Sequence, residues 1–157
     1  MNFLRKSFEQ CDVHIITFMR KVSGPLARIA LFIVFFWFGI LKIIGTSPAN
    51  PMVKDLMETT LPWMTFSQFI IGFALYEMII GITFIIPRLE RLAIALLIPH
   101  MIMTMLPLFF LTDMTWQGFL TPTMEGQYII KNLVIIALAV GIAAHLTPVH
   151  PRRSIQR

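Results

Sequence analysis

Apolar positions fall in four long blocks separated by polar breaks. The blocks are residues 25–44 (PLARIALFIVFFWFGILKII), about 66–86 (FSQFIIGFALYEMIIGITFII), 92–111 (LAIALLIPHMIMTMLPLFFL) and about 128–146 (YIIKNLVIIALAVGIAAHL). Each is close to the length a hydrocarbon core requires. A lone spanning segment must satisfy its own backbone, so each block predicts a helix. Ahead of them, Leu4, Phe8, Cys11, Ile15, Phe18, Met19 and Val22 recur at helical spacing. Arg5, Lys6, Glu9, Gln10 and Asp12 fall mostly elsewhere. Residues 3–22 are too polar to span and predict an amphipathic helix lying in the interface.

Two long breaks, residues 45–65 and 112–127, alternate with the very short turn 87–91. Long connections carry function more often than short ones. Their Trp63 and Trp116, with Tyr128 at the edge of the last block, fit an interfacial aromatic belt. No internal repeat or low-complexity tract is present. The expectation is an all-α, integral membrane four-helix bundle, a single membrane domain over residues 1–157, preceded by the interfacial helix.

Composition agrees. The chain is 57% apolar and only 13% charged, against about 25% charged in soluble domains. Four spans use roughly 80 residues, which leaves no room for a second domain. A single cysteine, Cys11, excludes an internal disulfide, CxxC redox chemistry and a thiolate metal site. The stretch after Lys42, IIGTSPANP, offers no clean cleavage site, so the first span is expected to be retained rather than removed as a signal peptide.

The net charge of +5 reads as membrane orientation, not as nucleic-acid binding, because the basic residues border apolar blocks. Ten of the thirteen Lys and Arg fall on one side: Arg5, Lys6, Arg20, Lys21, Arg28, Arg88, Arg91, Arg152, Arg153 and Arg157. The two long loops hold only Lys54. Positive residues mark the cytoplasmic face, so both termini are expected inside and both long loops outside.

Ionisable residues within a span each need an account. Glu77 stands mid-way along the second span. It must be paired, hydrogen-bonded, hydrated or protonated. Ala74 and Gly81 share its face and allow close helix approach. His100 follows Pro99 at similar depth in the third span, so a Glu77–His100 contact is geometrically available, and such pairs relay protons. Pro99 is expected to bend that helix. A structural hydrogen bond between the two helices is the plainer alternative. Lys42 and Lys131 stand near the outer ends of the first and last spans. They either snorkel outward or line a positive vestibule, with Glu77 roughly 10–15 Å deeper at 1.5 Å per residue. At that separation a direct bridge from either lysine to Glu77 needs a long reach or shifted span boundaries. Asn132 and Glu125 add polarity near Lys131. The pattern predicts a polar pocket open to the outside, walled by Trp37, Trp63, Tyr76, Trp116 and Tyr128.

At these residues the chain resembles a known group. FFWFGILKIIGTSPANP resembles the start of DoxX-like membrane proteins. Its W-F-G-x-L-K opening is similar to the related inner-membrane family that includes the reactive-chlorine resistance protein RclC. TPTMEGQYIIKNLVIIALA resembles the entry to the last span of the same superfamily, and Glu77 within ALYEMIIG fits a second-span glutamate. The likeness covers about residues 25–145. It implies a four-helix bundle in a bacterial inner membrane. It also implies redox work: a subunit of a thiosulfate:quinone oxidoreductase, maturation of a periplasmic dehydrogenase, or survival of oxidative stress.

The chain has no thiol pair, haem motif or flavin motif, so electron transfer requires a bound quinone or a membrane or periplasmic redox partner. On that reading Glu77 and His100 form a catalytic pair handling quinone protons. Lys42 and Lys131 bind an anionic substrate such as a sulfur oxyanion. Two other classes stay open. Intramembrane charge with Pro99 and Pro107 suits a small transporter, which with four helices calls for a homo-oligomer. An assembly subunit uses the same polar residues only to specify packing.

Overall fold

The computed structural model describes residues 2–147, with side chains from Glu9 onward. Arg152, Arg153 and Arg157, and the side chains of Leu4, Arg5, Lys6 and Phe8, lie outside the described residues. The order is α1 (Asn2–Ile43), α2 (Asn50–Thr60), α3 (Phe66–Ile85), α4 (Glu90–Met105), α5 (Pro107–Phe110), α6 (Thr112–Thr115), β1 (Trp116–Gly118), β2 (Thr121–Pro122), α7 (Met124–Ile130) and α8 (Asn132–Ala143). Four stretches are long and apolar enough to cross a membrane: Glu9–Ile43, Phe66–Ile85, Glu90–Phe110 and Met124–Ala143. This is the architecture of a multi-pass membrane protein.

The first of these is continuous with the stretch ahead of it. The amphipathic stretch 3–22 and the first span are one unbroken helix of 42 residues, with Pro25 inside it. At 1.5 Å per residue it runs about 63 Å, twice a hydrocarbon core. The Ser23–Gly24–Pro25 segment does not stop it: one missing N–H is tolerated where helix propensity continues on both sides. α1 ends where its sequence says it should. Gly45 takes a left-handed φ of 78°. Its N–H donates to Lys42 and that of Thr46 to Leu41, the glycine C-cap pattern.

The other ends have local causes. α3 stops before Pro87, whose ring disfavours helical geometry in the preceding residue. α4 runs through Pro99 to Met105, and Pro107 then opens α5 at the position where its missing N–H costs nothing. The Thr123 hydroxyl caps α7 by accepting from Gly126 N–H. The loops expected to be irregular are partly ordered. Residues 50–60 form α2, started by Pro51 and buried through Met57, and β1 and β2 form a small antiparallel hairpin.

Among the spanning stretches, α3 packs on α1, α4 on α3, α8 on α4 and α1 on α8, which closes a four-membered ring. Its core is Ala27, Leu31, Phe35, Ile80, Phe84, Ala93, Leu97, Met101, Ala139 and Ile142. Two glycines bring α1 and α3 together. A Cβ on Gly39 would lie 2.8 Å from the Ala74 carbonyl, and one on Gly81 3.1 Å from the Phe32 carbonyl. Small residues at a crossing allow this backbone approach. The same two contacts fix the antiparallel register, and with it the depth of every polar group the two helices carry.

Candidate functional site

That register sets Lys42 level with Phe73, four residues and about 6 Å from the level of Glu77. Helical side chains lean toward the N-terminus of their helix. In an antiparallel pair, Lys42 and Glu77 therefore lean toward each other. Lys42 Nζ donates to Glu77 Oε1 at 2.9 Å and to Oε2 at 2.7 Å. His100 Nε2 lies 3.1 Å from Glu77 Oε1. The three residues, from α1, α3 and α4, are 6%, 5% and 2% exposed.

Here the expected depths need correction. Lys42 is not an outer, snorkelling residue. α3 begins about six residues beyond the end of α1, so Lys42 enters the bundle below its rim. Counting depth from the edge of each apolar block assumed that both helices end at one plane.

The triad is enclosed by aromatic rings. Phe73 stacks on the His100 ring at 5.2 Å with 7° between planes, and Phe35 meets it edge-on at 5.2 Å. Lys42 Nζ lies 5.5 Å from the centre of the Phe73 ring, within range of a cation–π attraction. Tyr76 is tilted against His100 at 6.0 Å and donates its hydroxyl to the Leu96 carbonyl at 2.6 Å. A buried ion pair is costly unless its geometry is good and its remaining lone pairs are met. Glu77 accepts three hydrogen bonds here. His100 Nδ1, in contrast, is buried without a hydrogen-bond partner.

The remaining expected site residues are placed apart from this centre. Asn132 donates to Thr104 Oγ1 at 3.4 Å, and Thr104 is one turn along α4 from His100. Lys131 is exposed, with its ammonium 4.8 Å from the centre of the Tyr128 ring. Glu125 is exposed as well. Trp116 is half-buried and donates to the Leu108 carbonyl at 3.0 Å. Trp37, Trp63 and Tyr128 face outward, Trp63 with 76% of its surface exposed. The expected polar pocket is thus not assembled from these walls, and the two lysines do not converge on one anion. Trp and Tyr favour an interface, where their polar edge meets water. The rings around the triad are mainly Phe35 and Phe73, which nothing in the sequence distinguished from the other phenylalanines. Among the described residues no cluster of three or more His, Cys, Asp or Glu forms a metal site.

A different recess lies beside the triad helix. It is a wholly apolar groove of about 300 Å³ between α4 and α8, floored by Leu97, Met101 and Ala139. At the opposite end from α2, Arg28 of α1 pairs with Glu90 of α4 at 2.6 Å, and Arg91 donates to the Thr147 carbonyl. Comparisons with family models, curated proteins and solved structures return no match to this chain.

Proposed function

We propose that the chain is a DoxX-like protein of a bacterial inner membrane with both termini cytoplasmic. In this reading it serves as a quinone-associated or redox-stress-related subunit whose working centre is Lys42–Glu77–His100. The observation that carries the reading is a fully buried imidazole with one nitrogen on a carboxylate and the other unpartnered. Intramembrane ionisable groups are costly and mark functional sites by default. Quinol oxidation releases protons, and an imidazole–carboxylate pair is suited to accept them. The apolar groove on the α4 side suits an isoprenoid chain, and Leu97 and Met101 bring it next to the helix turn that carries His100. The quinone would supply the redox chemistry. The chain's own residues would hold its head group and take up its protons. The test is saturable binding of a short-chain quinone to the purified protein, weakened by His100→Phe and by Leu97→Trp in the groove. Failure of both variants to weaken binding contradicts the reading.

One observation favours a second reading. The triad ties α1, α3 and α4 together, as a packing device in an assembly subunit would. Lys42→Met combined with Glu77→Met, which replaces the ion pair by apolar packing, would then leave the cellular phenotype intact, while shortening the 45–65 or 112–127 loop would abolish it.

A further inference from the structure

Residues 111–123 join the third and fourth spanning stretches. Within them β1 and β2 pair as a hairpin, Trp116 opposite Pro122 and Gly118 opposite Thr121. Phe119 and Leu120 are left as the two-residue loop at its tip. The base of the hairpin is fixed to the bundle. The Trp116 indole N–H donates to the Leu108 carbonyl, inside the last turn of the third spanning stretch. Thr123 donates its N–H to the Thr115 carbonyl at 3.0 Å and its hydroxyl to the Met114 carbonyl at 2.6 Å. Thr115 is fully buried, and a Cβ on Gly126 would collide with its carbonyl. This close backbone contact holds the hairpin base against α7.

The tip is the opposite of a turn built for water, where glycine, asparagine and other polar residues prevail. Phe119 is 93% exposed and Leu120 74%. Leu120 takes a left-handed φ of 52°, where glycine or asparagine is usual and a bulky side chain is strained. No charged residue lies between Asp113 and Glu125. Exposed apolar surface of this kind marks contact with lipid or with protein. The Thr121 hydroxyl donates to the Phe119 carbonyl at 3.2 Å. One backbone acceptor of the tip is therefore met within the hairpin, as an apolar medium demands.

Placement decides between the two kinds of partner. Phe119 is three residues from Trp116, within about 10 Å at the rise of a strand. Because Trp116 is bonded inside a spanning stretch, the tip stays at the membrane boundary. On either side of the hairpin, Phe109 and Phe110 end the third spanning stretch and Met124 and Tyr128 open the fourth, all with exposed side chains. The tip continues a surface that already faces lipid.

We propose that the Phe119–Leu120 tip inserts into the acyl chains of the lipid leaflet at the α2 end of the bundle. It is a fixed apolar anchor that sets the depth of α5 and α7. The anchor is independent of the quinone reading and of which side of the membrane that end faces.

The test is spin labelling of the full chain in phosphatidylcholine vesicles. Cys11→Ser removes the only cysteine. Phe119→Cys, Val134→Cys and Lys54→Cys, made singly in that background, place one nitroxide at the tip, on an exposed position of α8 or on α2. Oxygen concentrates in lipid, whereas a nickel chelate stays in water. The expected result is a tip label that relaxes faster with oxygen than with the chelate, as the Val134→Cys label does, while the Lys54→Cys label shows the reverse. A tip label that behaves like the one on α2 overturns insertion and leaves the tip to a protein partner in water. A tip label shielded from both reagents overturns it as well and points to contact with a second copy. The unsubstituted chain supplies a second reading that needs no variant. A diazirine carried on a lipid acyl chain should leave adducts on Phe119 or Leu120 after photolysis, and adducts confined to the spanning stretches would contradict the anchor.

Discussion

Lys42 and Glu77 are joined through both carboxylate oxygens although one residue stands at the end of its helix and the other at the middle. The bond exists because α1 stops short of the rim and the two antiparallel helices lean their side chains toward each other. Removing one partner leaves an uncompensated buried charge, which costs about 3–5 kcal/mol. Lys42→Met should therefore strongly lower the unfolding midpoint in detergent. Lys42→Met combined with Glu77→Met should recover most of the loss, since apolar replacement of a whole pair is often neutral. Equal loss in the single and double variants would show that the pair is not coupled.

The register that permits this bond is set by glycines. A Cβ at Gly39 or Gly81 meets backbone of the facing helix, whereas one at Gly72 of α3 meets nothing within 4 Å. Gly39→Val and Gly81→Val should each destabilise by roughly 1–3 kcal/mol through overpacking. Gly72→Val should be near neutral. Thermal unfolding of the three variants decides this, and similar midpoints would contradict the crossing geometry.

The proposed orientation has a simple chemical check. Cys11 is exposed and is the only cysteine. A membrane-impermeant thiol reagent should leave it unlabelled in intact spheroplasts and label it after permeabilisation. In a Cys11→Ser background, Lys54→Cys should label without permeabilisation. The reverse pattern would invert the topology.

Trp116 and Trp37 should report different surroundings. The indole N–H of Trp116 is held by the Leu108 carbonyl, and Trp116→Phe should cost about 1 kcal/mol, the net value of one hydrogen bond. Trp37 faces outward from a spanning helix, so lipids with brominated chains should quench it and leave Trp116 less affected. Equal quenching would place Trp37 elsewhere.

How much of this the sequence disclosed follows from physical scale. The four spans were visible because twenty apolar residues in a row have few other uses. Glu77 and His100 stand out because a buried ionisable group is conspicuous against such a background, and their similar depth makes a contact geometrically available without showing that the two helix faces meet. Lys42 was misplaced because depth depends on register. Register depends on where Gly39 and Gly81 touch the facing backbone, a pairwise fact that no single helix carries. The Phe35 and Phe73 rings were missed for a similar reason. Attention to Trp and Tyr selects residues suited to an interface, while a dry enclosure for an imidazole is better made from phenylalanine. Residues 50–60 read as loop because their apolar positions are few, yet Met57 is buried and Met52, Val53 and Leu56 are half-buried where α2 packs on the bundle.

The central claim is that the triad serves a ligand and is more than a bolt between helices. The most direct measurement is a quinone titration of the Lys42→Met/Glu77→Met variant beside the wild-type protein, both verified as folded and helical. The account predicts saturable binding by the wild type and its loss in a variant that keeps the bundle intact. Equal binding by both proteins, or none by a folded wild type, would contradict it.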